Sequence, residues 1–230
     1  SVSKIKVTVF SQEQLASDVF SMWLEVGSIA SEAKPGQFIS VYSNDDSKLL
    51  PRPISICEID REKGRLRIVY RVVGYGTKEF SGCKAGDTLE IMGPLGNGYT
   101  LKKDKAILVA GGIGVPPMLE LAKELDCEKT IVLGYRDELF LNKEFEQYGK
   151  VVIATEDGSS GTKGNVLDAI RAEGVDGRVI YSCGPTPMLR ALKQYAADKG
   201  IEAWISLEEK MACGIGACLA CVCKSKDVDH

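Results

Sequence analysis

Ala106-Ile107-Leu108-Val109-Ala110-Gly111-Gly112-Ile113-Gly114-Val115-Pro116-Pro117 is the stretch on which the reading of the fold turns. Five apolar residues in a row exceed what a half-buried alternating strand needs, so both faces of this strand are covered, as in parallel sheets. Glycines end the run in a tight turn, and Pro116 or Pro117 suits the first turn of a helix. A strand running through a glycine turn into a helix aims unpaired N–H groups at a phosphate, although the same pattern also serves as a plain structural turn. Pro117 stands where the third glycine of GxGxxG would be, so the dinucleotide fingerprint is incomplete.

Outward from that stretch, the downstream chain repeats the same grammar. Continuous apolar runs recur at Thr130-Ile131-Val132-Leu133, Val151-Val152-Ile153-Ala154, Val179-Ile180-Tyr181 and Ala203-Trp204-Ile205. Met118, Leu121, Ala122 and Leu125 fit one helical face, and Met188, Ala191, Leu192 and Tyr195 fit another behind Pro187. Upstream, the period is two: Ile5, Val7 and Val9; Phe20, Met22, Leu24 and Val26; Leu66, Ile68, Tyr70 and Val72. Turn signals at Lys34-Pro35-Gly36, Ser43-Asn44-Asp45-Asp46, Glu62-Lys63-Gly64 and Ala85-Gly86-Asp87 separate these rows. An antiparallel β-barrel over residues 1–101, a parallel-sheet α/β domain over 102–205 and a small cysteine-rich segment over 206–230 are therefore expected.

Composition removes several function classes. The chain has 230 residues, 44% hydrophobic and 27% charged, which suits one large or two modest folded domains rather than disorder or a coiled coil. A net charge of -3 lacks the basic excess that nucleic-acid binding requires. The most apolar stretch, Ala106 to Leu119, is shorter than the roughly 20 residues of a spanning helix, so no membrane segment is expected. The sole histidine is the terminal His230, which removes Ser-His-Asp and Cys-His hydrolases, two-histidine zinc sites and facial-triad iron. No leader pattern opens the chain, and four of the eight cysteines fall between Cys213 and Cys223, which favours metal ligation in a reducing, cytoplasmic compartment over disulfides.

Further motifs carry the chemistry. Tyr181-Ser182-Cys183-Gly184-Pro185 is a second strand end of the kind that faces ligands in open α/β sheets; Cys183 is either a wall of a nicotinamide pocket or a buried, inert thiol. Arg52-Pro53-Ile54-Ser55 presents a guanidinium able to grip a pyrophosphate and a hydroxyl able to reach a flavin ring, or else a surface arginine beside an edge strand. Gly74-Tyr75-Gly76-Thr77 could open a helix with its N-terminus free for an anion, or form an ordinary turn. Cys213, Cys218 and Cys221 have the C-x4-C-x2-C spacing of plant-type 2Fe-2S ferredoxins, with small residues between the ligands. Zinc is the alternative, although its ligands usually come in C-x2-C pairs.

These motifs in this order resemble the electron-transfer subunits of class 1B dihydroorotate dehydrogenases, within the ferredoxin-reductase-like flavoproteins. Arg52-Pro53-Ile54-Ser55, Val69-Tyr70-Arg71, Gly76-Thr77, the Gly111 to Pro117 run, Cys183-Gly184-Pro185 and Met211 to Cys218 carry the resemblance, which spans essentially the whole chain. It implies FAD in the barrel, NADH at the α/β domain, and a 2Fe-2S cluster passing electrons to an FMN-bearing dihydroorotate dehydrogenase catalytic subunit of pyrimidine biosynthesis in a hetero-oligomer, a heterotetramer. It places Arg52, Gly76 and Thr77 toward the FAD pyrophosphate, Ser55 near the flavin ring, Val69, Tyr70 and Arg71 along the FAD, and Cys183 near the nicotinamide. Pro53 and Ile54 fall with the flavin motif; Gly111, Gly112, Gly114, Gly184 and Pro185 fall with the nucleotide. The family has a fourth cysteine beyond the third, whereas this sequence stops nine residues after Cys221. Either that ligand lies past His230, or Cys223 is recruited; a C-x-C pair would strain the usual wrap, which favours the first.

The expectation is an NADH-dependent flavoprotein oxidoreductase subunit. Arg136, Asp137, Glu138, Glu156 and Asp157 give the ribose-side loops an acidic balance, which favours NADH over NADPH. Two rivals remain: a reductase subunit serving another acceptor, such as ferredoxin or sulfur, and a non-catalytic nucleotide-binding sensor.

Overall fold

In the computed structural model, residues 3–42, 51–207 and 222–225 are described. The turn expected at Ser43 to Asp46 and the candidate ligands Cys213, Cys218 and Cys221 lie outside them.

Strands β1 (Ile5–Ala16), β2 (Val19–Glu25), β3 (Phe38–Tyr42), β4 (Arg52–Asp60), β5 (Arg65–Arg71) and β6 (Thr88–Leu95) form a closed antiparallel barrel in the order β1-β2-β5-β4-β3-β6. Alternation supplies its core: Val7, Val9, Met22, Leu24, Ile39, Val41, Ile54, Ile56, Leu66, Ile68, Leu89 and Ile91 all point inward. Short helix α1 (Ile29–Glu32) follows β2, and α2 (Gly74–Ser81) follows β5, dropping Phe80 into one end of the barrel.

The second unit begins at β7 (Ala106–Gly111), which passes through a 3-10 turn (Gly112–Gly114) into α3 (Met118–Glu124). Then come β8 (Lys129–Tyr135), α4 (Asn142–Phe145), β9 (Lys150–Thr155), β10 (Thr162–Lys163), α5 (Val166–Glu173), β11 (Val179–Gly184), α6 (Thr186–Lys199), β12 (Glu202–Leu207) and β13 (Cys223–Lys224). They form one sheet ordered β10-β9-β8-β7-β11-β12-β13, parallel throughout except for β13. The fold class expected from the two hydrophobic periods is the one observed.

One sheet face, with Ile107, Val109, Val132 and Ile180, packs on α5 and α6. Asn165 and Asp168 cap α5 reciprocally, and Gly174 ends it in the left-handed conformation. On helix α6 the expected Met188, Leu192 and Tyr195 do pack on this core, whereas Ala191 is exposed and Leu189 and Ala196 are buried in addition. The helix starts at Thr186, with Pro187 inside its first turn.

The other sheet face packs on α3, on α4 and on the barrel. Leu108, Ala110, Leu133, Tyr181 and Cys183 share a core with Ala16, Val19, Cys57, Val69 and Tyr99, so the two units meet through apolar side chains. That explains why Met118 to Ala122 of α3 are all buried, Leu119 and Glu120 included: the barrel covers the side the sheet does not. Polar ties rim this seam. The Ile59 N–H donates to Glu120 Oε1 at 2.7 Å, and Arg61 pairs with Glu124 at 3.1 Å. Buried Arg67 donates to Ser21 Oγ at 2.7 Å and grips both carboxylate oxygens of Glu144, at 2.6 and 3.3 Å. A planar fork of this kind constrains orientation strongly, whereas desolvation offsets much of its Coulomb gain.

Candidate functional site

Strand order reverses between β7 and β11, and beyond their carboxyl ends lies the crevice where open α/β sheets take ligands. A cleft of about 730 Å³ opens there. The sheet side of its wall includes Gly111, Gly112, Gly134, Tyr135, Pro185 and Met188; the barrel side is Ala16 to Val19, from the β1–β2 turn, with Arg71.

Two glycines make room on the sheet side. A Cβ on Gly111 would sit 2.8 Å from Met188 Sδ, and one on Gly134 would sit 2.7 Å from Val166 Cγ1. Gly114 has a different reason to be glycine. A Cβ there would run into the Cys183 carbonyl, so the turn after β7 lies directly on the end of β11. Gly114 is buried, and among the described residues the cleft wall takes Gly111 and Gly112 from that turn.

Cys183 and Gly184 are likewise buried beside the cleft, whereas Pro185 is in its wall. Cys183 Sγ lies 3.9 Å from the Leu207 carbonyl, at the carboxyl end of β12. Tyr99 closes this corner: its hydroxyl donates to the Ser182 carbonyl at 2.9 Å, and its ring meets Tyr181 edge-on at 5.6 Å. Burial pushes the Tyr99 hydroxyl well above its ordinary pKa, so it stays a neutral donor.

On the barrel, alternation sorts the expected flavin residues. Ile54 points into the barrel core, and strand alternation puts Ser55 on the opposite face, half-buried. Tyr70 also turns inward: its hydroxyl donates to Gln12 Oε1 at 2.6 Å, and its ring stacks on Phe20 and meets Phe80 edge-on. Its side chain plugs the barrel, so of Val69-Tyr70-Arg71 only Val69 and Arg71 face the second unit. Arg71 Nε donates to Asp18 Oδ2 at 3.1 Å. Arg52 is exposed at the start of β4, with Pro53 half-buried behind it.

Gly76 and Thr77 lie in α2. The Thr77 hydroxyl accepts the Val73 N–H at 2.8 Å and donates to the Val73 carbonyl at 2.7 Å, so it pins the start of the helix.

The chain leaves the described residues at Leu207 and re-enters them at Val222. Leu207 ends β12 beside Gly184, and Cys223 pairs with Ile205, so both points lie at the carboxyl edge of the sheet. Val222 is buried against Gly36 and Tyr99.

The β1–β2 turn carries no motif and was not foreseen as cleft wall. Of the acidic loops read from the sequence, Arg136, Asp137, Glu138 and Glu156 line the cleft.

A family model for the oxidoreductase FAD-binding domain matches residues 6–99, and one for the iron-sulfur cluster binding domain of dihydroorotate dehydrogenase B matches residues 208–230. The dihydroorotate dehydrogenase B (NAD(+)) electron transfer subunit of Fusobacterium nucleatum subsp. nucleatum is 44% identical over 236 residues, covering 96% of this chain and 90% of the relative. The chain belongs to this family. Its counterpart in a Geobacillus species is 42% identical, over 95% of this chain and 88% of its own length. Among solved structures, a chain of an NADH-dependent reduced ferredoxin-NADP oxidoreductase superposes with TM-score 0.85 at 30% identity, covering 96% of this chain and 88% of that one. A flavohemoglobin from Malassezia yamatoensis, with TM-score 0.71 and 22% identity over 89% of this chain and 60% of its own, shares the fold.

As a family member, the chain is an oxidoreductase flavoprotein with an FAD-binding domain and an iron-sulfur-cluster-binding segment, and it works as an electron transfer subunit beside a catalytic subunit. Among the described residues, no helix is long and apolar enough to cross a membrane.

Proposed function

We propose that this chain carries electrons from NADH through FAD and a 2Fe-2S cluster to the FMN of a dihydroorotate dehydrogenase catalytic subunit, in a cytoplasmic hetero-oligomer. The nucleotide, flavin and cluster supply the redox chemistry when bound: a two-electron hydride donor, a carrier that can part with electrons singly, and a one-electron relay. The protein's own task is to hold and align them, which suits a chain without an internal histidine.

Arg52 and the N–H groups opening α2 would hold the FAD pyrophosphate, Ser55 would donate to the flavin ring, and Val69 and Arg71 would flank it. Gly111 and Gly112, with Gly134, would let a dinucleotide approach the backbone of the sheet, and Pro185 would bound the nicotinamide end. Cys183 would back that end from beneath. Cys213, Cys218 and Cys221 would supply thiolates to the cluster. The observation that carries this reading is the cleft itself, walled by barrel and sheet beyond the carboxyl ends of β7 and β11; Leu207 and Cys223 lie on the same carboxyl edge of the sheet.

The test is spectroscopic. NADH should bleach the flavin bands of the purified complex and raise a paramagnetic 2Fe-2S signal. In Cys213→Ser, Cys218→Ser or Cys221→Ser, bleaching should persist while electron delivery to the catalytic subunit collapses. Full zinc with no iron, or delivery surviving in all three variants, refutes the relay. The 30% identical ferredoxin oxidoreductase chain keeps a second reading, a different acceptor, in view. Co-purification with a dihydroorotate-oxidising subunit decides between them.

A further inference from the structure

The segment joining β8 to α4 crosses from the sheet to the barrel and is held at several points. At its start, Glu138 Oε1 accepts the backbone N–H of Ser17 at 2.9 Å and the Ser17 hydroxyl at 3.1 Å. In its middle, the buried Tyr135 hydroxyl donates to the Phe140 carbonyl at 2.7 Å. Leu141, next along, is buried with φ +64, the one non-glycine residue with positive φ among the described residues. A leucine stays in that region only where its surroundings over-determine it. At the far end, Glu144 is gripped by Arg67. The segment is thus a strap, and Glu138 and Phe140 are also walls of the cleft.

The barrel side of the clasp continues into the flavin wall. Asp18, next to Ser17, accepts from Arg71 through its carboxylate and from the Val72 N–H through its carbonyl at 2.7 Å. Glu138, Ser17, Asp18 and Arg71 therefore form one connected path from the end of β8 to the face of β5. Both partners of the Glu138–Ser17 contact are solvent-exposed, so the contact adds little to stability. Its effect is on spacing, and spacing matters here: reacting atoms must approach to roughly 3 to 3.5 Å, and a misplacement of about 1 Å can cost on the order of 100-fold in rate.

We propose that Glu138 is a positioning residue whose clasp on Ser17 sets the width of the cleft, so that a nicotinamide held by the sheet meets a flavin held by the barrel. This rests on reading the cleft as the dinucleotide site.

The experiment uses the complete, cofactor-loaded complex as wild type, Glu138→Ala and Glu138→Gln. Hydrogen exchange reads the Ser17 amide directly, and anaerobic rapid mixing with NADH separates the nucleotide dissociation constant from the limiting rate of flavin bleaching. In Glu138→Ala the Ser17 amide should exchange about threefold faster, in keeping with a weak exposed contact, and the limiting rate should fall about tenfold, with the dissociation constant moving less than about threefold, as for lost alignment rather than lost binding. Glu138→Gln, whose amide oxygen still accepts both donors, should return both readouts to within about twofold of wild type. An unchanged limiting rate in Glu138→Ala overturns the clasp, as does an unchanged Ser17 exchange rate or a Gln variant as slow as the Ala variant. A loss confined to the dissociation constant overturns it too. NAD+ added to wild type separates the two readings: if peptides carrying Gly111, Gly134 and Val166 gain no protection, the cleft reading fails and takes the clasp with it, whereas protection with equal limiting rates leaves the cleft standing and sinks the clasp alone.

Discussion

Gly114 and Arg52 show how differently single residues are constrained. At Gly114 the obstacle is backbone, the Cys183 carbonyl, which cannot swing aside as a side chain could. Gly114→Ala should therefore force the turn off β11 and destabilise the protein by about 1 to 3 kcal/mol, the usual cost of overpacking, read as a lower denaturant midpoint at unchanged slope. A midpoint equal to wild type would show that the turn can relax. Arg52 is exposed, so its loss should spare the fold and act on the ligand. Arg52→Ala should lower FAD occupancy through loss of a charge-assisted contact of about 1.5 to 3 kcal/mol. A full flavin-to-protein ratio in the purified variant would refute the pyrophosphate role.

At the scale of elements, periodicity told which strands exist and less about which side chains reach the site. Ile54 lies inside a flavin motif, yet its place in the alternation of β4 sends it into the barrel; Tyr70 does the same on β5. The loops after β8 and β9 are better placed than their sequence alone could establish, since Asp137 and Glu156 reach the cleft wall with Arg136 beside them. With the dinucleotide in this cleft as proposed, these two carboxylates would oppose the 2'-phosphate of NADPH and could accept from a ribose hydroxyl. Flavin reduction should be more efficient with NADH, and Asp137→Ser combined with Glu156→Gln should narrow the ratio of the two efficiencies. Equal efficiencies in wild type, or a ratio unmoved by the double variant, would remove these loops from the selectivity.

Across the whole molecule, the seam between barrel and sheet carries a titratable group of its own. Burial, followed by a hydrogen bond with Glu124, raises the Glu120 carboxyl to about 8, above its ordinary range. A carboxyl raised on folding holds its proton in the native state after the unfolded chain has released it. Its contribution to stability is complete at acid pH and is lost as pH climbs from the ordinary carboxylate range through about 8. Glu120→Gln mimics the protonated form, keeping an acceptor for the Ile59 N–H. Thermal midpoints of the two proteins should coincide near pH 5 and separate by pH 9, with the Gln variant the more stable. Parallel midpoints across that range would mean that Glu120 titrates normally.

What the sequence determined by itself is what short-range chemistry can write. A period of two makes a half-buried strand, a continuous apolar run makes a covered one, and glycine and proline mark where each ends. The spacing of Cys213, Cys218 and Cys221 is equally local, because three of the cluster's ligands fall within nine residues of one another. Only the tertiary structure decided what depends on contact between distant segments. Ala16 to Val19 wall the cleft although they carry no motif, because the β1–β2 hairpin turn faces the carboxyl ends of the sheet strands across it. Glu120 is buried on a face that helical periodicity would leave in water, because the barrel covers it. The physical reason is the same in each case: which face of an element is wet depends on what packs against it, and that partner is encoded elsewhere in the chain.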